Sequence, residues 1–285
     1  MQKSVLVQSI ILSILFVVAL GIWYAVLRED RRGLLTVSFL DVGQGDAIFI
    51  DAPSGRQVLI DGGPDRSVLR ELGEVMPWYD RSIDVVIATH PDADHITGLV
   101  DVLQRYRVQY IFHPGVEKNT GPAESMLLSV AEEGAEEIYA RRGQIINLGG
   151  GAYLEILFPD RDVSTLETNT ASIVARLVYG KTAFMLTGDA PESIEKYLVQ
   201  LDSKDLKADV LKAGHHGSDT SSSDIFVGFV SPEYAVLSRG CNNRYEHPHQ
   251  DVVTRFKRFE IQTLDTCEEG TIRIASDGAN VSLRR

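Results

Sequence analysis

The sequence predicts an α/β protein built as an αββα sandwich, two β-sheets face to face with helices outside, preceded by one transmembrane helix. Three observations predict it. Residues 4–27 form an apolar run without a charged side chain. The rest divides into two halves, each a β-meander followed by strands that alternate with helices. Both halves end strands in clusters of Asp, His and Gly, which places the polar chemistry along one shared edge.

The apolar run, SVLVQSIILSILFVVALGIWYAVL, would be about 36 Å long as a helix, enough to cross a hydrocarbon core of about 30 Å with some tilt. It competes with a cleavable signal peptide, since it follows Lys3 at the start of the chain. The run outlasts the usual signal core of about 7–15 residues, and Trp23 and Tyr24 sit where interfacial anchors belong, so an uncleaved single-span anchor fits better. Charge does not orient it: Lys3 lies on one side, and Arg28, Arg31 and Arg32, interleaved with Glu29 and Asp30, lie on the other. Residues 1–33 are thus an anchor with a short linker, and 34–285 a single domain with room for one sizeable core.

Residues 34–40 alternate as a strand, Asp41-Val42-Gly43-Gln44-Gly45-Asp46 turns the chain, and 47–51 forms a second strand. Pro53-Ser54-Gly55 leads into a third strand, 57–60, which ends in Asp61-Gly62-Gly63-Pro64. A helical stretch covers 66–76. Residues 83–89 form a buried strand, and Ile96, Leu99, Val100, Leu103 and Tyr106 recur at helical spacing. A strand over 108–112 and a helix over 123–133 follow. The second half offers strands at 153–158, 172–179 and 182–186, the last ending in Thr187-Gly188-Asp189, then a helix over 193–201. Strand 208–212 enters Gly214-His215-His216-Gly217-Ser218, and strand 234–238 enters the segment from Cys241 to His249.

The most informative stretch is Thr89-His90-Pro91-Asp92-Ala93-Asp94-His95, where a buried strand runs into two histidines and two carboxylates. Ligands spaced H-x-D-x-D-H converge on a tight loop, with His offering nitrogen and Asp hard oxygen, whereas the competing reading is a polar turn that happens to hold histidine. Asp46 and Asp61 also lie at strand ends, where they serve either a site or ordinary turns. The net charge is −12, and without residues 1–33 the remaining 24 basic and 38 acidic side chains give −14. That excludes a passive nucleic-acid binder with a basic footprint, yet it suits carboxylates that hold divalent cations. The only cysteines, Cys241 and Cys267, exclude a zinc knuckle; each follows a strand-like run, so they form either a disulfide in an oxidising compartment or two separate thiols.

The segments 39–47, 60–64, 89–95, Leu186-Thr187-Gly188-Asp189-Ala190, 211–218 and Asn243-Arg244-Tyr245-Glu246-His247-Pro248 occur in an order that resembles the metallo-β-lactamase-fold domain of ComEC-type DNA-uptake (competence) proteins over residues 34–285. Those proteins also carry a polytopic channel, whereas this chain has one candidate span, so the resemblance bears on the chemistry of the domain. It implies His90 and Asp92 as ligands of one metal, Asp94 and His95 of a second, Asp189 as a bridge and His247 as the last ligand. His215 and His216 would stand beside the scissile group, with Asp94 also in the catalytic set. The wider superfamily usually has H-x-H-x-D-H, so Asp92 makes the site harder and shifts preference from zinc toward manganese or magnesium. The first metal's usual third His has no counterpart: Asn169 takes its place in sequence, His113 comes too early, and His249 has no matching role.

The resemblance therefore implies a metal-dependent phosphodiesterase, a membrane-anchored DNA nuclease linked to DNA uptake or processing that uses a hydroxide activated by two Mn²⁺ or Zn²⁺ ions, or Mg²⁺. Lys212 and Ser218 would help bind phosphate, and Asp61 would orient a ligand histidine from behind. Implied partners are DNA, the membrane through residues 4–27 and a separate DNA-channel protein, with the domain outside the cytoplasm. The alternatives are a phosphocholine-esterase-like enzyme of the cell envelope and a non-catalytic, metal-stabilised DNA-binding module.

Overall fold

A computed structural model describes residues 2–29 and 33–284. They fall into two units, one within residues 1–33 and one within 34–285. The first is a helix, α1 (Gln2–Glu29), whose stretch Val5–Tyr24 is long and apolar enough to cross a membrane. Of the expected linker, residues 30–32 lie outside the described residues.

The first half of the second unit contains β1 (Leu35–Phe39), β2 (Ile48–Asp51), β3 (Gln57–Ile60), α2 (Ser67–Val75), β4 (Ser82–Ile87), α3 (Ala93–Arg105), β5 (Arg107–His113), α4 (Gly121–Glu133) and β6 (Glu136–Tyr139). The second half contains β7 (Ile145–Gly149), β8 (Ala152–Phe158), β9 (Val174–Tyr179), β10 (Thr182–Leu186), α5 (Glu192–Asp202), β11 (Val210–Lys212), α6 (Asp224–Val230), β12 (Tyr234–Leu237), α7 (Gln250–Arg258), β13 (Gln262–Asp265) and α8 (Thr266–Glu269). The chain then returns to the first sheet as β14 (Ile272–Ser276) and β15 (Val281–Arg284).

One sheet has the order β15-β14-β1-β2-β3-β4-β5-β6 and the other β13-β12-β11-β10-β9-β8-β7. In each, antiparallel pairing gives way to parallel pairing, from β3 to β6 in one and from β10 to β13 in the other. Parallel strands need crossovers, and helices supply them on the outer faces. Three apolar clusters follow from this layering. Val37, Ile50, Ile87, Leu154, Leu177 and Phe184 meet between the sheets. Val86, Leu72, Leu99 and Met126 fill the layer beneath α2–α4, and Leu198, Leu211, Phe226 and Phe256 the layer beneath α5–α7. The strand β4 shows the cause: Val85 and Ile87 point to the inner cluster while Val86 between them points to the outer one, the period of two that an apolar strand buried on both faces requires. The predicted αββα sandwich with its N-terminal apolar helix is the observed fold.

Four strands fall outside the sequence reading: β6, β7, β14 and β15. In β6 (EEIY) three of four side chains are exposed, and β15 is exposed over three of four, so neither carries an apolar alternation. The helix α3 begins at Ala93, three residues before the apolar spacing starts. Asp94 and His95 therefore belong to its first turn rather than to a loop.

Candidate metal centre

The site lies where parallel strands of both sheets end, outside their carboxyl termini, as expected for α/β sheets. His90 follows β4, Asp61 follows β3, Asp189 follows β10 and the 214–218 segment follows β11. Asp46 enters from the β1–β2 connection, where Gly45 has φ +136° and any Cβ on it would strike the Asp94 carbonyl.

Asp189 Oδ2 is the centre of the arrangement. It lies 3.2 Å from His95 Nε2, 3.4 Å from His216 Nε2, 3.6 Å from His215 Nε2 and 3.9 Å from His90 Nε2. His216 Nε2 is also 3.5 Å from Asp94 Oδ2. Two adjoining groups could each hold a cation, His90 with His95 and Asp189, and Asp94 with His95 and His216. Asp46 forms a third group with Asp189 and His216, and with Asp61 and His95 a fourth. The donor set fits divalent metals: it mixes imidazole nitrogen with carboxylate oxygen, and several of its atoms have no hydrogen-bond partner although buried. These are His90 Nε2, His216 Nε2 and Asp46 Oδ1.

The ligand rings are fixed from behind. Asp61 Oδ2 lies 2.8 Å from His95 Nδ1 and accepts from Thr89 Oγ1 at 2.6 Å, while Asp61 Oδ1 accepts from the Thr89 N–H at 2.8 Å. This network orients His95 so that Nε2 faces Asp189. For His216, Nδ1 lies 2.9 Å from the Ser238 carbonyl, which leaves Nε2 free toward the centre. His215 and His216 both have positive φ, 47° and 55°, a conformation that costs about 1–3 kcal/mol for each residue and is typical of functional sites.

The electrostatics reflect one crowded cluster. Burial and the neighbouring His95 charge push His90 down to about 3. Burial opposes charge on His95 and His216 too, but Asp189 with Asp61 raises the first, and Asp189 with Asp46 raises the second. Burial alone would raise Asp189 and Asp94; His216 and His95 hold both well below the usual carboxylate range. Asp61 goes the other way, since burial outweighs His95 and raises it.

The expected residues separate into three positions. His90, Asp94, His95, Asp189 and His216 meet at the centre, with Asp46 and Asp61 immediately behind. Lys212 has no exposed surface; its ammonium pairs with Asp46, lies 3.5 Å from Asp189 Oδ1 and donates to the Gly188 carbonyl at 3.0 Å. It therefore stands behind the carboxylates rather than at the mouth. Asp92 is not in the ligand groups; its carboxylate pairs with Lys118 Nζ at 2.8 Å.

At the rim, His215 is partly exposed, with Nδ1 3.2 Å from Thr220 Oγ1, which is 3.0 Å from Ser218 Oγ. His247 lies outside the ligand groups, its ring 5.6 Å from His215 and 6.4 Å from His216. Burial and the adjacent His216 and His215 charges push it down to about 4. Asn243 holds its backbone by two hydrogen bonds of 2.8 and 2.9 Å, and a Cys241–Cys267 disulfide ties down the start of that loop. Asn169 sits in the segment whose Ile173 N–H bonds the Thr89 carbonyl. His113 and His249 are not among the ligand groups: His113 contacts Tyr139 and Glu137, and His249 pairs with Asp219 and lies 5.1 Å from the His247 ring. Sequence reasoning missed Thr89, Asn243 and Lys118. Thr89 had a signal in adjoining His90, and Asn243 in lying four residues before His247.

Two packed sheets whose parallel strand ends gather histidines around a central aspartate define a metal-binding α/β domain of hydrolase type. The Metallo-beta-lactamase superfamily model matches residues 40–240, and the chain belongs to that superfamily, whose members are generally metal-dependent hydrolases. It is 33% identical over 254 residues to ComE operon protein 3 of Bacillus subtilis (strain 168), covering 83% of this chain and 32% of that protein. It is 31% identical over 241 residues to Recombination protein 2 of Haemophilus influenzae, covering 84% and 28%. The chain thus spans about a third of the length of the curated relatives it matches. Among solved structures it shares its fold with Igni18, a metallo hydrolase from Ignicoccus hospitalis, at 14% identity and a TM-score of 0.51 over 84% of this chain and 98% of that one. CmlA, a diiron β-hydroxylase from Streptomyces venezuelae, has a TM-score of 0.51 at 12% identity over 81% of this chain and 52% of its own.

Proposed function

We propose that the domain is a metal-dependent phosphodiesterase that cleaves DNA, held at the membrane by α1 and exposed outside the cytoplasm. The observation that carries the reading is the pair of adjoining ligand groups around Asp189 with the partly exposed His215 beside them. Relatives named for competence and recombination support DNA as the substrate.

His90 and Asp92 would hold one ion, Asp94 and His95 the other, with Asp189 between them. The geometry favours His216 over His247 for the remaining position, since His216 already faces Asp94 and Asp189. Two divalent ions held there supply Lewis-acid stabilisation of phosphoryl oxygens and a nucleophile at neutral pH. Mn²⁺ or Zn²⁺ suits the mixed donors, with Mg²⁺ also served by the carboxylates. His215, with Thr220 at its Nδ1, presents Nε2 to the reacting group and can pass a proton to the departing oxygen. Asp61 and Lys212 keep His95, Asp46 and Asp189 in place. The disulfide supports an oxidising compartment, and a separate channel protein would deliver the DNA strand.

The test is cleavage of single-stranded DNA and of bis(p-nitrophenyl) phosphate with Mn²⁺, Zn²⁺ or Mg²⁺, with Asp94→Asn as the control. Metal-dependent cleavage that Asp94→Asn loses is expected. No turnover of either substrate with any of the metals removes the enzyme reading and leaves a binding module. Protease accessibility of the domain in intact cells tests its placement, and protection there refutes it.

A further inference from the structure

A cavity of about 520 Å³ opens beside the metal centre, and its wall includes His90 and Pro91. It lies beyond the carboxyl ends of β4, β5 and β6, on the side of His90 that faces α4. Its floor is apolar, formed by Ile96, Ile111, Met126 and Val130. One side is an aromatic shelf. Tyr139 ends β6 opposite His113 in the ladder, and their rings lie 4.8 Å apart.

Tyr139 is 61% exposed and yet held. Gly115, at φ +92°, brings the backbone so close that a Cβ there would strike the ring at 2.9 Å. The Arg141 guanidinium lies 5.6 Å from its centroid and is anchored by bonds of 2.9 and 2.7 Å to the Pro114 and Ala140 carbonyls. A large exposed aromatic costs solvation when it only faces water, and one fixed beside a cation is a stacking surface. At the mouth, Lys118 joins cavity and centre, since it lines the first and bonds Asp92 of the second.

We propose that this cavity takes one unpaired nucleobase of the DNA strand, stacked on Tyr139, while the adjoining phosphate lies at the metal centre. The inference rests on the nucleic-acid reading above and deepens it to single-stranded DNA. A base paired in a duplex cannot enter this mainly apolar cavity without leaving its stack. Stacking on an aromatic tolerates any base; Lys118 is the cation of a lining that also carries Glu117, Glu124 and Glu137, so the base rather than charge supplies the attraction inside the cavity. A quaternary ammonium group fits less well. It would need several open aromatic faces, and Tyr139 is the one exposed large aromatic of the lining.

The experiment titrates the full chain with a short, phosphorothioate-linked single strand carrying one 2-aminopurine, in EDTA and in Mn²⁺. Binding is read by anisotropy and stacking by quenching of the 2-aminopurine. In Mn²⁺ wild type and Tyr139→Phe are expected to bind and quench, and in EDTA both should bind more weakly. Tyr139→Ala should lose the quenching and weaken binding by roughly tenfold, at an unchanged melting temperature. Leu127→Glu, which adds a negative charge at an exposed position on the cavity wall, should weaken binding without touching Tyr139. If wild type binds the strand but Tyr139→Ala binds and quenches equally, the cavity inference falls and the DNA reading stands. If wild type binds no strand, both fall. Displacement of the strand from the wild type by phosphocholine, but not by a mononucleotide, assigns the cavity to a quaternary ammonium and overturns the inference.

Discussion

Replacing Lys212 by Met removes one buried cation and leaves its surroundings almost unchanged in volume. Lys212, Asp46 and Asp189 are all buried, with 0, 1 and 3% of their surface exposed, and the ammonium is in contact with both carboxylates. Both pKa directions agree with a firm pair: Lys212 is raised by Asp46 and Asp189 in spite of burial, and Asp46 is lowered by Lys212 in spite of burial. Breaking such a pair from one side leaves an uncompensated buried charge, at about 3–5 kcal/mol. For a domain of this size each kcal/mol moves the melting temperature by about 2–4 °C, so Lys212→Met should melt roughly 6–20 °C below wild type in EDTA. The added substitution Asp46→Asn removes the orphaned charge and should recover part of the loss, a coupling that a double-mutant cycle measures. Circular dichroism melts of the four proteins make the test. A Lys212→Met shift within 3 °C of wild type, or no recovery with Asp46→Asn, would refute the reading of Lys212 as the counter-charge of the site.

Metal should stabilise the fold through the same carboxylates: Mn²⁺ at about a hundred times its dissociation constant should add about 2.7 kcal/mol, and Asp189→Asn should abolish that gain in melts with and without EDTA. Glu195 gives the pH prediction. Its carboxylate accepts from the Ser222 and Ser223 N–H groups at 2.5 and 2.7 Å, yet burial dominates and raises it above the ordinary carboxylate value. The folded form then holds the proton more tightly than the unfolded one. Its contribution is fully present below the ordinary value of 4.5 and is lost as pH rises through the folded value. The stability of wild type relative to Glu195→Gln, from urea melts, should therefore fall between pH 4 and pH 7, and a difference that rises with pH sinks the assignment. DNA binding in Mn²⁺ should depend weakly on salt, since an acidic domain neutralises phosphates mainly at the site. A logarithmic slope near −1 to −2 is expected for one to three contacts on a single strand, and a slope near −6 would indicate a basic track instead.

Legibility in the sequence followed burial. The strands that lead to ligands, β3, β4, β10 and β11, are mainly apolar where buried and run into polar residues, so both fold and site showed in them. The strand β6 did not, because its register with β5 rests on backbone bonds while its side chains face water. With β6 unread, Tyr139 and the cavity beside His90 were out of reach. Spacing also could not decide between His216 and His247. They lie in separate loops, and only the close approach of both sheets' edges sets His216 against Asp94 and Asp189. Lys212 was legible as a cation near the site but not as the partner of Asp46, which is 166 residues away and on the other sheet.

The distribution of charge shows how an acidic domain would serve the polyanionic substrate proposed above. Asp46, Asp61, Asp94 and Asp189 crowd one edge with a single buried lysine, and such a cluster repels phosphate unless cations fill it. Two divalent ions held there would reverse the sign locally and confine attraction to the centre. Lys212 compensates Asp46 permanently and leaves the outward carboxylates to the ions. Asp92 extends the same logic toward the surface: its pairing with Lys118 neutralises it until an ion is present, and an ion at Asp92 would release Lys118 toward an incoming phosphate. Under the proposed function, metal loading and substrate binding would be coupled through Lys118, which pairs with Asp92 and lines the cavity.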